Sequence, residues 1–138
     1  MLAMRSTSFS LGLFAAIAVL TGCGFVANED IDGPYRLVAV DVMEQMNVCY
    51  GLGDGNCIER IPRTVFAVGW DNSYIVAARH PENDKSKVEY FYIDRAVDGL
   101  HVDPPTAVKG PFHSYYSFEQ ERQRLALPAL RRELASLK

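Results

Sequence analysis

The chain has 138 residues, 49% of them hydrophobic and 22% charged, with a formal net charge of -3 at pH 7. That length bounds a single domain. An acidic balance with scattered basic residues gives no electrostatic footprint for nucleic acid, so that class of partner is set aside.

The first element is a targeting segment. Residues 1–10 carry one basic side chain, Arg5, and residues 11–20, LGLFAAIAVL, are almost wholly apolar. Met4 offers a second start, directly before Arg5. An apolar run of about ten residues is half of the roughly twenty that a spanning helix requires, so the layout predicts a cleavable leader. The leader ends at Leu20-Thr21-Gly22-Cys23. A Leu three positions before Cys, with small residues between, resembles the lipobox of bacterial lipoproteins. The resemblance implies removal of residues 1–22 and acylation of Cys23, which then ties the protein to a lipid bilayer. More than one acyl chain makes such an anchor stable. Gly24, rather than Asp, follows the Cys. By the same resemblance this implies the outer membrane, with the domain facing the periplasm. An ordinary secreted protein with a Cys near its mature end is the plainer alternative.

Cleavage leaves 116 residues. The leader holds one Arg and no acid, so their net charge is near -4. Residues 23–33 read as a short polar tether and residues 34–138 as the domain. Cys49 and Cys57 are the two remaining cysteines. In an exported protein, with Cys23 committed to lipid, they predict a disulfide. Their spacing suits neither a C-x-x-C redox pair nor a short zinc knuckle. The enclosed YGLGDGN is rich in turn formers, and closing it is worth roughly 2–3 kcal/mol in a chain-entropy treatment.

Residues 35–42, YRLVAVDV, are apolar on both faces and predict an inner strand. Residues 43–62 show no period and are expected to cap the sheet. Residues 63–70 and 73–80 predict a hairpin across Asp71-Asn72. Residues 88–95, VEYFYIDR, predict a third strand of the run, with Phe91 and Ile93 opposite Tyr90 and Tyr92. A short strand is expected at 99–103. Pro104-Pro105 and Gly110-Pro111 break the pattern. Ser117 is then expected to cap a helix with Gln120 answering it, Pro128 to end that helix, and Leu130 and Leu134 to sit on a second short helix. The sum is an α+β fold, a small antiparallel β-meander of four to five strands packed against one or two C-terminal helices.

Trp70-Asp71-Asn72-Ser73-Tyr74-Ile75-Val76-Ala77, then Tyr92-Ile93-Asp94, then Gly110-Pro111 and a Phe-bearing terminal helix resemble a family of small bacterial lipoproteins of unknown function. Its pattern is a W-D-x-x-Y-I-[IV]-A hairpin, a Y-I-D strand and a closing helix. The resemblance covers about residues 61–127 and implies no activity, cofactor or site.

Chemistry is sparse. His80, His101 and His113 are scattered, and His101-x-Asp103 supplies two ligands at most, so no metal or cofactor is expected. No serine sits in G-x-S-x-G. Asp41, Asp54, Asp71 and Asp94 are carboxylate candidates only by elimination, and a cleft joining Asp41, Asp94 and His101 is what the enzyme reading would require. GLGDG lacks the Lys-Ser/Thr and helix start of a phosphate loop. A glycine loop held by a disulfide suits recognition better, because order present beforehand lowers the cost of binding. The expected contact surface is therefore Tyr50, Leu52, Asp54 and Asn56, with Tyr115 and Tyr116 as an aromatic pair. The expectation is a non-catalytic, membrane-tethered envelope lipoprotein that binds an envelope protein or serves a structural role. The alternative is a small hydrolase of cell-wall material.

Overall fold

The computed structural model describes residues 24–138. The leader and Cys23 lie outside the described residues. Two antiparallel sheets follow each other along the chain. The first holds β1 (Ala27–Asp32), β2 (Tyr35–Ala39), β3 (Asn47–Gly51) and β4 (Cys57–Ile61), paired in that order. The second is built from β5 (Val65–Trp70), β6 (Tyr74–Arg79), β7 (Glu89–Asp94) and β8 (Val108–Phe112) as a meander. The last strand, β9 (Arg132–Glu133), adds to the open edge of β5. Among the described residues there are two α-helices, the single turn α1 (Pro104–Ala107) and α2 (Tyr115–Leu125).

The result is a small α+β fold in which an antiparallel five-stranded sheet packs against the C-terminal helix α2. Its central hairpin forms where the sequence predicts. The Asp71 carboxylate accepts from the backbone N–H groups of Ser73 and Tyr74, at 2.8 and 2.7 Å, and so fixes the β5–β6 turn. Alternation along β7 sends its side chains to two cores. Phe91 and Ile93 join Leu37, Met46, Val48 and Ile61 between the sheets. Tyr92 joins Val76, Phe118 and Leu127 under α2. The second sheet is thus the middle layer, between the first sheet and the helix.

Three expectations about the strands are corrected. The tether expected at 23–33 is largely β1, because Ala27 and Ile31 bury against β2 while Asn28, Glu29 and Asp30 stay in solvent. The domain therefore begins before residue 34. Residues 43–62 are no cap: they supply β3 and β4 of the first sheet. Residues 99–103 form turns and no strand, since Gly99 and Asp103 open local i+3 hydrogen bonds to Val102 and Thr106. Instead the strand falls at β8, where Gly110-Pro111 is tolerated because β8 is a sheet edge.

At the C-terminus Ser114, not Ser117, caps α2, with its hydroxyl accepting from the Ser117 N–H at 3.1 Å. Gln120 bonds the Tyr116 hydroxyl rather than the cap. The helix ends at Leu125 with Ala126 in the left-handed region, just ahead of Pro128. No second helix forms around Leu130 and Leu134. That segment runs extended along β5, with Arg131 N–H donating to Val68 O and Leu134 N–H to Phe66 O.

Candidate functional site

The disulfide loop is a tight, self-bonded structure on the first sheet. Cys49 and Cys57 are joined, with their Cα atoms 5.7 Å apart. Cross-strand pairing of Gly51 with Cys57 brings the ends together. Leu52 N–H donates to Asn56 O at 2.9 Å, and the Asp54 carboxylate accepts from the Asn56 backbone N–H at 2.9 Å. That bond to the charged form holds the Asp54 carboxyl below its ordinary range. Gly53 and Gly55 both have φ near +85 to +88° with open space around them, so the turn needs glycine for its backbone and not for close packing. Leu52, Asp54 and Asn56 stand in solvent.

Beside the loop lies a depression of about 400 Å³ lined by Arg36, Gly53, Gly55, Asn56 and Cys57. Its one cation is engaged, since Arg36 donates to Asn28 Oδ1 at 2.7 Å and Asp30 Oδ1 at 2.6 Å. Tyr50 does not stand on this rim. It is half-buried, its ring edge-on to Tyr35 at 5.5 Å and beneath the Arg60 guanidinium at 5.0 Å.

Tyr115 and Tyr116 open α2 and are 59% and 73% exposed. Tyr115 leans edge-on against Tyr90 at 5.9 Å. It forms the lip of a cavity of about 430 Å³ walled by Phe66, Ala78, His80, Tyr90 and Leu130. The rim is polar: Lys85 Nζ donates to Lys138 O at 3.0 Å, and Lys138 pairs with Glu133 at 2.9 Å. Such a wall of aromatic and aliphatic side chains with a few polar groups is the usual make-up of a binding site.

His80 was not among the expected contact residues. It is 4% exposed and stacks on Phe66 with ring centroids 4.3 Å apart. Its Nδ1 is 2.8 Å from Lys87 O. A carbonyl only accepts, so Nδ1 carries a proton and donates it to Lys87 O. Nε2 is buried with no hydrogen-bond partner among the described residues. Position in the sequence gave no hint of this, because both partners come from the β6–β7 link and the neighbouring strand.

The expected contact residues therefore fall into two surfaces in different layers, with the second sheet between them. The candidate catalytic set is not gathered either. Asp41 sits in the link after β2, where its N–H donates to Gln45 Oε1. The Asp94 carboxylate accepts from Ala96 N–H and closes the turn after β7. His101 is exposed on the following turn. Among the described residues, no group of three or more His, Cys, Asp or Glu side chains comes together as a metal site.

One polar cluster that sequence spacing could not reveal is wholly internal. Asp98 accepts from Arg60 Nε at 3.0 Å, from the Tyr35 hydroxyl at 2.9 Å and from Gly99 N–H at 2.9 Å. Its saturation by internal donors marks it as a clamp between the sheets.

Comparison with protein families, curated proteins and solved structures gives no significant match.

Proposed function

We propose that this chain is a non-catalytic lipoprotein of the bacterial cell envelope, acylated at Cys23 and facing the periplasm from the outer membrane. Its domain presents a binding surface to another envelope protein. The observation that carries the reading is the run Leu20-Thr21-Gly22-Cys23 at the end of a ten-residue apolar stretch. The resemblance of the Trp70–Ala77 hairpin to small lipoproteins agrees with it. The exposed pair Tyr115 and Tyr116, at the lip of an apolar cavity, supports partner binding, because tyrosines add large contact area at low entropy cost.

Intact-mass analysis of protein recovered from bacterial envelopes tests the anchor. The expected result is loss of residues 1–22 and added acyl mass on Cys23. Exported soluble protein with a free Cys23 rejects it. The binding role is tested by a photo-crosslinking residue at position 116 in living cells. A discrete protein adduct, absent when the same residue replaces Lys87, is expected. Equal, diffuse labelling at both positions removes the tyrosine surface from the proposal.

A further inference from the structure

Four large apolar side chains stand exposed at one end of the first sheet: Phe25 at 45%, Val26 at 49%, Val40 at 43% and Val42 at 50%. Two segments bring them together. Residues 25 and 26 lead into β1, and residues 40 and 42 leave β2. The register Ala27↔Ala39 places Val26 beside Val40, and Val26 N–H donates to Ala39 O at 2.9 Å and Val40 O at 3.2 Å. Phe25 and Val40 line the same cavity of about 280 Å³. Val40 and Val42 both flank Gln45, Pro62 and Arg63. Exposed apolar groups gathered at one site mark a contact surface more than scattered ones do.

The position of this face relative to Cys23 decides what covers it. Val26 is already bonded into the sheet, and Phe25 lies two residues beyond Cys23. Two extended residues span about 7 Å at most. A lipid-bearing Cys23 at the membrane surface thus holds Phe25 within that distance of the headgroups and Val26, one residue further, within about 11 Å. The tether is too short for the domain to stand clear.

We infer that the face formed by Phe25, Val26, Val40 and Val42 seats on the lipid bilayer itself, at the boundary of headgroups and acyl chains, and so fixes the orientation of the domain. This inference rests on the proposed acylation of Cys23. The local charge selects the lipid. Asp41 and Glu44 lie in the same link as the two valines, Glu59 and Glu82 border the cavities next to them, and the cations alongside are Arg63 and Arg79, the latter already paired with Glu89. A surface with more acids than bases is repelled by anionic lipid, so the contact forms on zwitterionic headgroups and draws on apolar burial. Burial of that kind is insensitive to salt screening. Seating by this face also directs the chain outward from a defined end of the first sheet, leaving the tyrosine surface of α2 in a separate layer.

The test uses the full lipidated protein in vesicles of phosphatidylethanolamine and phosphatidylcholine. A nitroxide is attached in turn to Val26→Cys, Val42→Cys and Tyr116→Cys, and its collisions with oxygen and with a water-soluble nickel chelate are measured. Intact mass and circular dichroism confirm acylation and folding in each sample. The expected result is a several-fold higher oxygen-to-nickel ratio at positions 26 and 42 than at 116, unchanged between low and high salt. Adding Val40→Asp is expected to bring the label at 42 to the aqueous ratio while the acyl chains keep the protein on the vesicle. An acylated protein with aqueous ratios at 26 and 42 overturns the seating and leaves the anchor intact. Labels shielded from both reagents show a second copy or another protein on the face, which also overturns it. An unmodified Cys23 with aqueous labels overturns the anchor and the seating together.

Discussion

Arg60 on β4 and Asp98 beyond β7 form an ion pair at 3.0 Å with both side chains wholly removed from solvent. They are 38 residues apart and tie the first sheet to the turn that follows the second sheet's β7. The guanidinium also donates to Gly99 O at 3.1 Å, while its Nη1 has no partner among the described residues. The carboxylate is fully used. The pair is therefore held by geometry rather than by surplus attraction, and the cost of its desolvation is offset only while both partners are present.

Asp98→Ala should be strongly destabilising, by about 3–5 kcal/mol, because it strands a buried guanidinium. Arg60→Met with Asp98→Ala should cost less than Asp98→Ala alone. Urea unfolding of the three proteins measures this directly. A double variant as unstable as the single one would show that the pair contributes through packing and not through mutual neutralisation.

Reduction of the Cys49–Cys57 bond should cost roughly 2–3 kcal/mol for so short a ring. Its effect should be local. Amide exchange is expected to quicken through residues 50–56 and the β3–β4 edge, while β6 and β7 keep their protection, since Ile75, Ala77, Phe91 and Ile93 stay packed in the core between the sheets. Uniform loss of protection across both sheets would mean that the first sheet is a condition for the second.

The legible parts of the fold were strand β2, the hairpin β5–β6, strand β7 and helix α2. Val65–Trp70 and Tyr74–Arg79 are runs of strand formers divided by Asp71-Asn72, where the Asp71 carboxylate makes the turn locally. The rest of the first sheet, around the expected inner strand β2, was hidden for three physical reasons. In β1 only Ala27 and Ile31 bury, so ANEDID reads as polar tether. In β3 the register shifts between Val48 and Cys49, which breaks the alternation. In β4 Ile58 and Glu59 are both exposed and Arg60 is buried, the reverse of an amphipathic pattern. For the site, the exposed loop residues and Tyr115-Tyr116 were readable from composition and local turn chemistry. His80 and the Asp98 cluster were not, because burial and the pairing of Asp98 with Arg60 and Tyr35 arise from contacts across the fold.

The Tyr35 hydroxyl links this buried cluster to pH. Burial first, and then its hydrogen bond to the Asp98 carboxylate, raise the phenol's pKa above its ordinary value of 10. A group whose folded pKa is raised gives its full stabilisation below the unfolded pKa and loses it as pH rises towards the folded one. The window therefore opens above pH 10. Below it, Tyr35→Phe should destabilise by about 1.5–3 kcal/mol, the range for a hydrogen bond to a charged group. Above pH 10 the gap between the two proteins should narrow as the wild type loses its advantage. Urea midpoints at pH 8, 9, 10 and 11 measure it. A constant gap across that series would mean that the phenol titrates alike in both states.

Gly69 controls how the C-terminal segment docks. It lies in β5 opposite Val76, and a Cβ placed on it would collide with the carbonyl oxygen of Ala129 and stand 2.8 Å from its carbon. Both are backbone atoms, so no side-chain rotation relieves the clash. Residues 127–134 lie against β5 by Arg131 N–H to Val68 O and Leu134 N–H to Phe66 O, with the Arg131 guanidinium 3.9 Å above the Trp70 ring. Gly69→Ala should push this segment off β5 and cost about 1–3 kcal/mol, the usual range for overpacking. Trp70 is the only tryptophan of the chain, so its emission reports the change. The expected outcome is a red-shifted Trp70 spectrum and faster proteolysis after residue 126, with far-ultraviolet dichroism largely kept. Unchanged emission together with unchanged proteolysis would show that the segment tolerates the added methyl and that the close approach at Gly69 is not what holds it.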